Sequence, residues 1–169
     1  MTAPLHIWLE VSHHAPFRMG GWAYVRADGA AVTGQAVVGQ AGGDRRVDAE
    51  RAALIGLLAA LKETAPARPT RLHTASPLVA AIPARLAAAK AGDDPPTENL
   101  DLWAQAMKAL ADGAVRIDRA APGGLAAFAA AWAEFARDKA RDKGPFISPI
   151  PKPNLAKLDV RAAMGEIGG

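Results

Sequence analysis

Ser76, His73 and Asp48 are the residue types of a hydroxyl nucleophile, its base and an orienting acid. Nothing in their spacing makes them converge. Ser76 followed by Pro77 is better explained as the side-chain cap of a helix with proline at its first position. The pair His13-His14 offers imidazole nitrogen to a transition metal, but adjacent side chains diverge and no third ligand accompanies them, so a surface turn is the better reading. Arg45, Arg46 and Arg51 form a basic group around a loop and a helix start; a solvated surface is one reading and phosphate binding the other. Glu10 sits in an apolar run, where a charge needs a partner, and an arginine is the expected one. Glu50 falls in the first turn of a helix, where the dipole favours an acid. Trp8, Trp22, Trp103 and Trp132 are expected in the core rather than as stacking platforms for bases.

These residues must be held by elements that the pattern of apolar residues outlines. "PLHIWLEV" predicts a largely buried first strand. After the turn-rich "HHAPFRMGG", the Asp28-Gly29 pair divides "WAYVRADGAAVTGQAVVGQ" into the two arms of a hairpin. From Val47 to Lys62 the residues Ala49, Ala53, Leu54, Leu57, Leu58 and Leu61 recur at helical spacing. "RLHTA" predicts a fourth strand. Ser76-Pro77 opens a helix that Pro83 breaks after Ile82, so that "PARLAAAKAG" forms a second short one. "NLDLWAQAMKAL" is an amphipathic helix, "AVRIDRA" a fifth strand, and "LAAFAAAWAEFARDKARDK" a final helix.

The 169 residues suit one domain, with half of them hydrophobic and much of that fraction alanine. There are no cysteines, which excludes disulfides and thiolate metal sites and fits a reducing compartment. No apolar run reaches a membrane span and the N-terminal stretch lacks the pattern of a signal peptide, so a cytoplasmic location is expected. The formal charge of +3 permits contact with nucleic acid without arguing for it. Residues 1–143 are expected to form the domain and 144–169 a proline-rich tail. In that tail, prolines 145, 149, 151 and 153 alternate with Phe146, Ile147, Ile150, Leu155 and Leu158. Prolines reduce the entropy lost on ordering and the apolar residues supply surface to bury, so the tail is expected to dock on its own domain or a second copy.

Several motifs in order carry a resemblance. Asn99-Leu100-Asp101-Leu102-Trp103 looks like the "N-x-DLW" element that opens a late helix in type 1 ribonucleases H. Leu9-Glu10-Val11-Ser12 and then Gly20-Gly21-Trp22 stand where that family has "TDGS" and a "GG" with an aromatic. Ala49, Glu50, Ala53, Leu54 and Ile55 fall in step with its first helix, and Thr74-Ala75-Ser76 takes the place of "TDS" at the end of its fourth strand. The similarity covers roughly residues 5 to 141. It implies a ribonuclease H-like α/β fold with a five-stranded mixed sheet and the order β-β-β-α-β-α-α-α-β-α, flanked by helices.

The resemblance also implies a chemistry, two-metal hydrolysis of the RNA strand of an RNA–DNA hybrid, and the residues that should carry it. Four carboxylates hold the ions in the family; carried over by position they become Glu10, Glu50, Ala75 and Ala133. Alanine offers no oxygen. Glutamate in place of the first aspartate moves its carboxylate outward on the order of 1.5 Å, and Mg²⁺ demands near-ideal geometry. Asp48 and Glu134 lie close in sequence to two of these positions but turn to other helix faces. Arg46 and Val47 replace the asparagines that would contact the hybrid backbone, and "APGGLAAF" lacks the family's histidine. The stretch before the "DLW" helix carries Asp93, Asp94 and Glu98 against Lys90, which weakens a grip on phosphate.

The expectation is therefore an inactive ribonuclease H-like domain that binds nucleic acid, through Arg45, Arg46 and Arg51, or a protein partner, with no cofactor. The alternative is an active hybrid-cleaving endonuclease that holds Mg²⁺ or Mn²⁺ with Glu10, Glu50 and a substitute such as Asp48 or Glu134.

Overall fold

The computed structural model describes residues 3–28, 37–64, 67–160 and 162–163. Their elements run β1 (Leu5–His14), β2 (Met19–Asp28), β3 (Val37–Arg45), α1 (Ala49–Leu61), β4 (Thr70–Thr74), α2 (Pro77–Ala80), α3 (Ile82–Lys90), α4 (Leu100–Leu110), β5 (Val115–Arg119), α5 (Gly124–Lys143), β6 (Phe146–Pro149) and α6 (Lys152–Leu155). The sheet order is β5-β4-β1-β2-β3-β6. β1 pairs antiparallel with β2 and parallel with β4, and β5 continues the parallel half beside β4. β2 and β3 pair antiparallel as hairpin arms must; Gly29 of the expected turn lies outside the described residues.

Local chemistry sets the boundaries. Asp48 caps α1 by accepting a hydrogen bond from the Arg51 amide at 2.6 Å. Ser76 caps α2 by accepting from the Val79 amide, with Pro77 at the first helical position, and Pro83 stands second in the first turn of α3. α4 buries Leu102, Trp103 and Ala106 on one face.

The sheet has a core on each side. Along β1 the side chains alternate: Ile7 and Leu9 join Leu54, Leu57, Leu72 and Trp103 under α1 and α4, whereas Trp8 joins Val25, Leu125 and Ala133 under α5. α5 runs across β1, β2 and β3. It buries Ala126, Ala129, Ala133, Ala136 and Ala140, and the strands below answer with glycine. A Cβ on Gly21 would fall on the Ala133 carbonyl and the Arg137 amide, and one on Gly43 on the Ala136 carbonyl. Helix backbone and strand backbone are in direct contact there. Three of the four tryptophans are buried as expected; Trp132 is the exception, half-buried at the margin of the core under α5 beside Phe128 and Phe135.

Among the described residues the sheet has six strands where five were expected. The sixth comes from the tail: β6 lies antiparallel on β3, with Ile147 opposite Gly42, and the Ile150 amide donates to the Gly39 carbonyl at 2.9 Å. An edge strand tolerates proline, because one row of its backbone groups needs no partner, so a proline-rich segment can still pair. Beyond it Ile150, Leu155, Val160 and Ala163 are buried in the core under α5. The tail docks on its own chain. In hydrogen exchange the Ile150 amide should be protected together with β3, and rapid exchange throughout residues 145–160 would contradict this docking.

β1 and β4 also place two imidazoles together. His6 Nδ1 and His73 Nε2 lie 3.0 Å apart with their rings stacked, and both residues are buried. Burial, and then the charge of Arg71, lowers the His6 pKa. Burial, then His6 and Arg71, lowers that of His73 to about 4. The folded chain therefore resists protons that the unfolded chain accepts. The stability this contributes is complete above the ordinary histidine value of 6.5 and is lost as pH falls from there towards about 4. Denaturant unfolding at pH 7 and pH 4.5 should show that loss, and a His6→Gln/His73→Leu double variant should show less of it.

Candidate functional site

Glu10 is 5% exposed, and its position along β1 turns it to the same side as Trp8 and Ser12. Among the described residues no arginine pairs with it, contrary to expectation. Its Oε2 accepts from the Ala75 amide at 2.8 Å and from the Thr74 hydroxyl at 3.4 Å, and Thr74 Oγ1 in turn accepts from the Ser76 amide at 3.0 Å. The strand end that would carry a third carboxylate thus gives Glu10 a backbone donor instead. Burial raises the Glu10 pKa, while the Ala75 amide, the Thr74 hydroxyl, the Ser76 amide and the charge of Arg119 hold it down in part.

Glu50, in the first turn of α1, has both oxygens engaged. Oε1 pairs with the Arg85 guanidinium of α3, and Oε2 accepts from Asn99 Nδ2 at 2.9 Å. Arg85 lies over the Trp103 ring at 4.8 Å, so its charge is held from both sides. Asn99 adopts a left-handed conformation with φ 57° just before α4 and also donates to both oxygens of Asp48 at 3.3 Å. Arg51 completes the network with two 3.1 Å hydrogen bonds to Asp101 and a 3.3 Å bond to Asn99 Oδ1. The "N-x-DLW" stretch therefore clamps the start of α1 through Asn99 and Asp101 and supplies the Trp103 platform.

The remaining sequence candidates are dispersed. Ala133 is fully buried in the contact between α5 and Gly21. Glu134, one residue on, is exposed, with Arg137 as its neighbour at 3.7 Å. Asp48 is committed as the α1 cap. Among the described residues no three His, Asp or Glu side chains converge as a metal site needs. His13 Nε2 meets the Val47 carbonyl at 2.8 Å and His14 stacks on Phe17, so the two rings do separate tasks. Asp48, His73 and Ser76 likewise engage different partners: the Arg51 amide, His6 and the Val79 amide.

The three arginines do not form one patch. Arg45 donates to the Ala140 carbonyl at 2.8 Å and to the Arg141 carbonyl, binding the end of α5. Arg51 faces Asp101, with Asp48 and Asp44 adding to its field. Arg46 is exposed and, among the described residues, its side chain has no ion pair or hydrogen bond. Beside it stands a residue the sequence did not single out. Arg18 is exposed and left-handed like Arg46, and its carbonyl accepts from the Val47 amide at 3.0 Å. Phe17, 66% exposed, precedes it. Arg85 was also missed, since nothing in "PARLAAAK" marks one arginine as the partner of a carboxylate 35 residues earlier.

No family model and no curated protein matches this sequence. Solved structures do. LC9-RNase H1, described as a type 1 RNase H with the type 2 active-site motif, superposes with a TM-score of 0.67 at 17% identity over 97% of this chain and 85% of that one. The N-terminal RNase H domain of a Mycobacterium tuberculosis protein, solved as a fusion with maltose-binding protein, gives 0.62 at 17% identity over 83% and 98%. The foamy viral protease–reverse transcriptase in complex with dsDNA gives 0.59 at 13% identity over 80% and 94%. The chain has a ribonuclease H-like fold.

Glu10 provides a test of the site's electrostatics. Its raised pKa means that its contribution to stability is present in acid and lost as pH rises through the folded value. Glu10→Gln keeps an acceptor for the Ala75 amide and removes the charge. The variant should melt above wild type near neutral pH, with the gap closing in acid; a gap independent of pH would contradict the assignment.

Proposed function

We propose that this chain is a catalytically inactive ribonuclease H-like domain that binds nucleic acid weakly and without preference for RNA–DNA hybrids. The reading rests on Glu50: both of its oxygens are taken, one by a guanidinium and one by an amide. A cation-binding carboxylate must offer lone pairs to the ion, and this one offers them to Arg85 and Asn99. Ala75 and Ala133, the other two carried-over positions, supply no oxygen, and Glu10 accepts from the chain itself. These residues do not fit a two-ion centre.

Purified protein should leave an RNA–DNA hybrid intact in either Mg²⁺ or Mn²⁺. The check is a gel assay beside Glu10→Ala, where metal-dependent cleavage lost in the variant would favour the active alternative.

Binding is assigned to the tip formed by Arg18 and Arg46, two exposed guanidinia without partners among the described residues, with Phe17 alongside. Arg45 and Arg51 are left out because each already has a partner. One structural neighbour is described in complex with dsDNA, which is compatible with this reading at the level of the fold. The Arg18→Glu/Arg46→Glu variant should bind duplex more weakly and lower the slope of log K against log salt by about 2, since each phosphate contact contributes about 0.9. Fluorescence anisotropy across a salt series measures both, and an unchanged slope would move the interface elsewhere. A protein partner is the second reading, favoured by the outer face of α5, where Phe135 is 53% exposed against Trp132.

A further inference from the structure

On the α5 side of the sheet, between β4, β5 and the start of α5, lies a cavity of about 320 Å³. That is at the small end of ligand sites. Arg71, Arg119 and Asp118 line its polar side, and Trp8, Leu125 and Ala126 its apolar side. Asp118 is already saturated: Oδ2 pairs with Arg71 at 3.3 Å and Oδ1 with Arg116 at 3.0 Å. On the cavity wall Arg71 and Arg119 stand against Asp118, which leaves one positive charge; that of Arg119 also acts on the buried Glu10 carboxylate. Arg119 has no ion pair or side-chain hydrogen bond among the described residues, and Arg71 Nε is buried without an acceptor.

The start of α5 adds to this charge. It is a 20-residue helix whose N-cap is Gly123, which has no side chain to satisfy the first-turn amides. Gly123, Leu125 and Ala126 are part of the cavity wall. Amides left open at a helix start favour an anion. His73, also on the cavity wall, adds no charge near neutral pH, because burial lowers its pKa to about 4.

We propose that this cavity binds a phosphate monoester, its phosphate between Arg71, Arg119 and the first turn of α5, and its organic part against Trp8 and Leu125. Phosphate fits better than carboxylate because its tetrahedral oxygens accept from donors on several sides at once, here two guanidinia and a helix end. The site is separate from the Arg18–Arg46 tip and does not rest on the nucleic-acid reading. The same chemistry is found in a small free monoester and in the 5′-phosphate of an oligonucleotide, and the experiment separates them.

The full chain, labelled with ¹⁵N, is titrated with inorganic phosphate, a nucleoside 5′-monophosphate, acetate, and a short oligonucleotide with and without its 5′-phosphate. Saturable shifts at the amides of residues 124–126 and at the Arg119 side chain are expected with phosphate and tighter with the monophosphate. Arg119→Gln, a surface change, should weaken binding at least tenfold, and Lys108→Gln on the far helix should not. The same shifts with the 5′-phosphorylated oligonucleotide but not its 5′-hydroxyl form would identify a nucleic-acid end as the source; their restriction to the small monoester would identify a free metabolite. Absence of saturable shifts, acetate binding as tightly as phosphate, or full affinity in Arg119→Gln would each overturn the proposal.

Discussion

The contact between α5 and the sheet governs the rest of the structure. Small side chains on the helix and glycines at 21 and 43 bring two backbones together without intervening atoms. Such close packing leaves little room for adjustment, because interiors are filled nearly to crystal density. It fixes where α5 begins, and so where Gly123 and the first turn stand relative to β4 and β5. It also explains the residue at 133 in physical terms. A carboxylate there would be forced into a fully buried contact, at a cost of several kcal/mol for an unpaired charge. An alanine at that place is what the packing requires, whatever else it does.

On the opposite side, the start of α1 is tied to α3 and α4 by polar contacts rather than by apolar area. Asn99, in a backbone conformation that asparagine tolerates better than most residues, reaches both Asp48 and Glu50. Arg85 and Arg51 each neutralise one acid, at Glu50 and Asp101. Such networks are worth more as positioning devices than as a source of stability, since each charge is taken out of water to join them. Here the arrangement holds three helices in register around Trp103.

Much of this was legible from the residues. Periodicity located every strand of the first five and every long helix, because burial on one or two faces leaves a record in spacing that local interactions reinforce. The cap at Ser76 was readable for the same reason, being a contact within three residues, whereas the cap at Asp48 emerges only from the structure. What escaped was long-range and directional. Arg45 could as easily have met solvent as the end of α5, and Arg85 reaches Glu50 only because α3 happens to pass it. Glu10 was expected to need an arginine; an amide at the adjacent strand end served instead, and no one-dimensional pattern distinguishes the two. The sixth strand was hidden by its prolines, which argue against a central strand and are neutral towards an edge.

That edge matters for how the molecule behaves among its own copies. β3 is nine residues long, with Val38 exposed and glycines at 39, 42 and 43. Uncovered, it would present a flat row of free amides and carbonyls, the kind of template on which sheets of neighbouring molecules join. β6 caps four residues of that row with a strand of its own that is short and ends in proline. The opposite edge, β5, is five residues long and carries Arg116, Asp118 and Arg119. A segment that resembles a loose appendage in composition thus covers the longer edge of the sheet and leaves a shorter, proline-ended strand in its place.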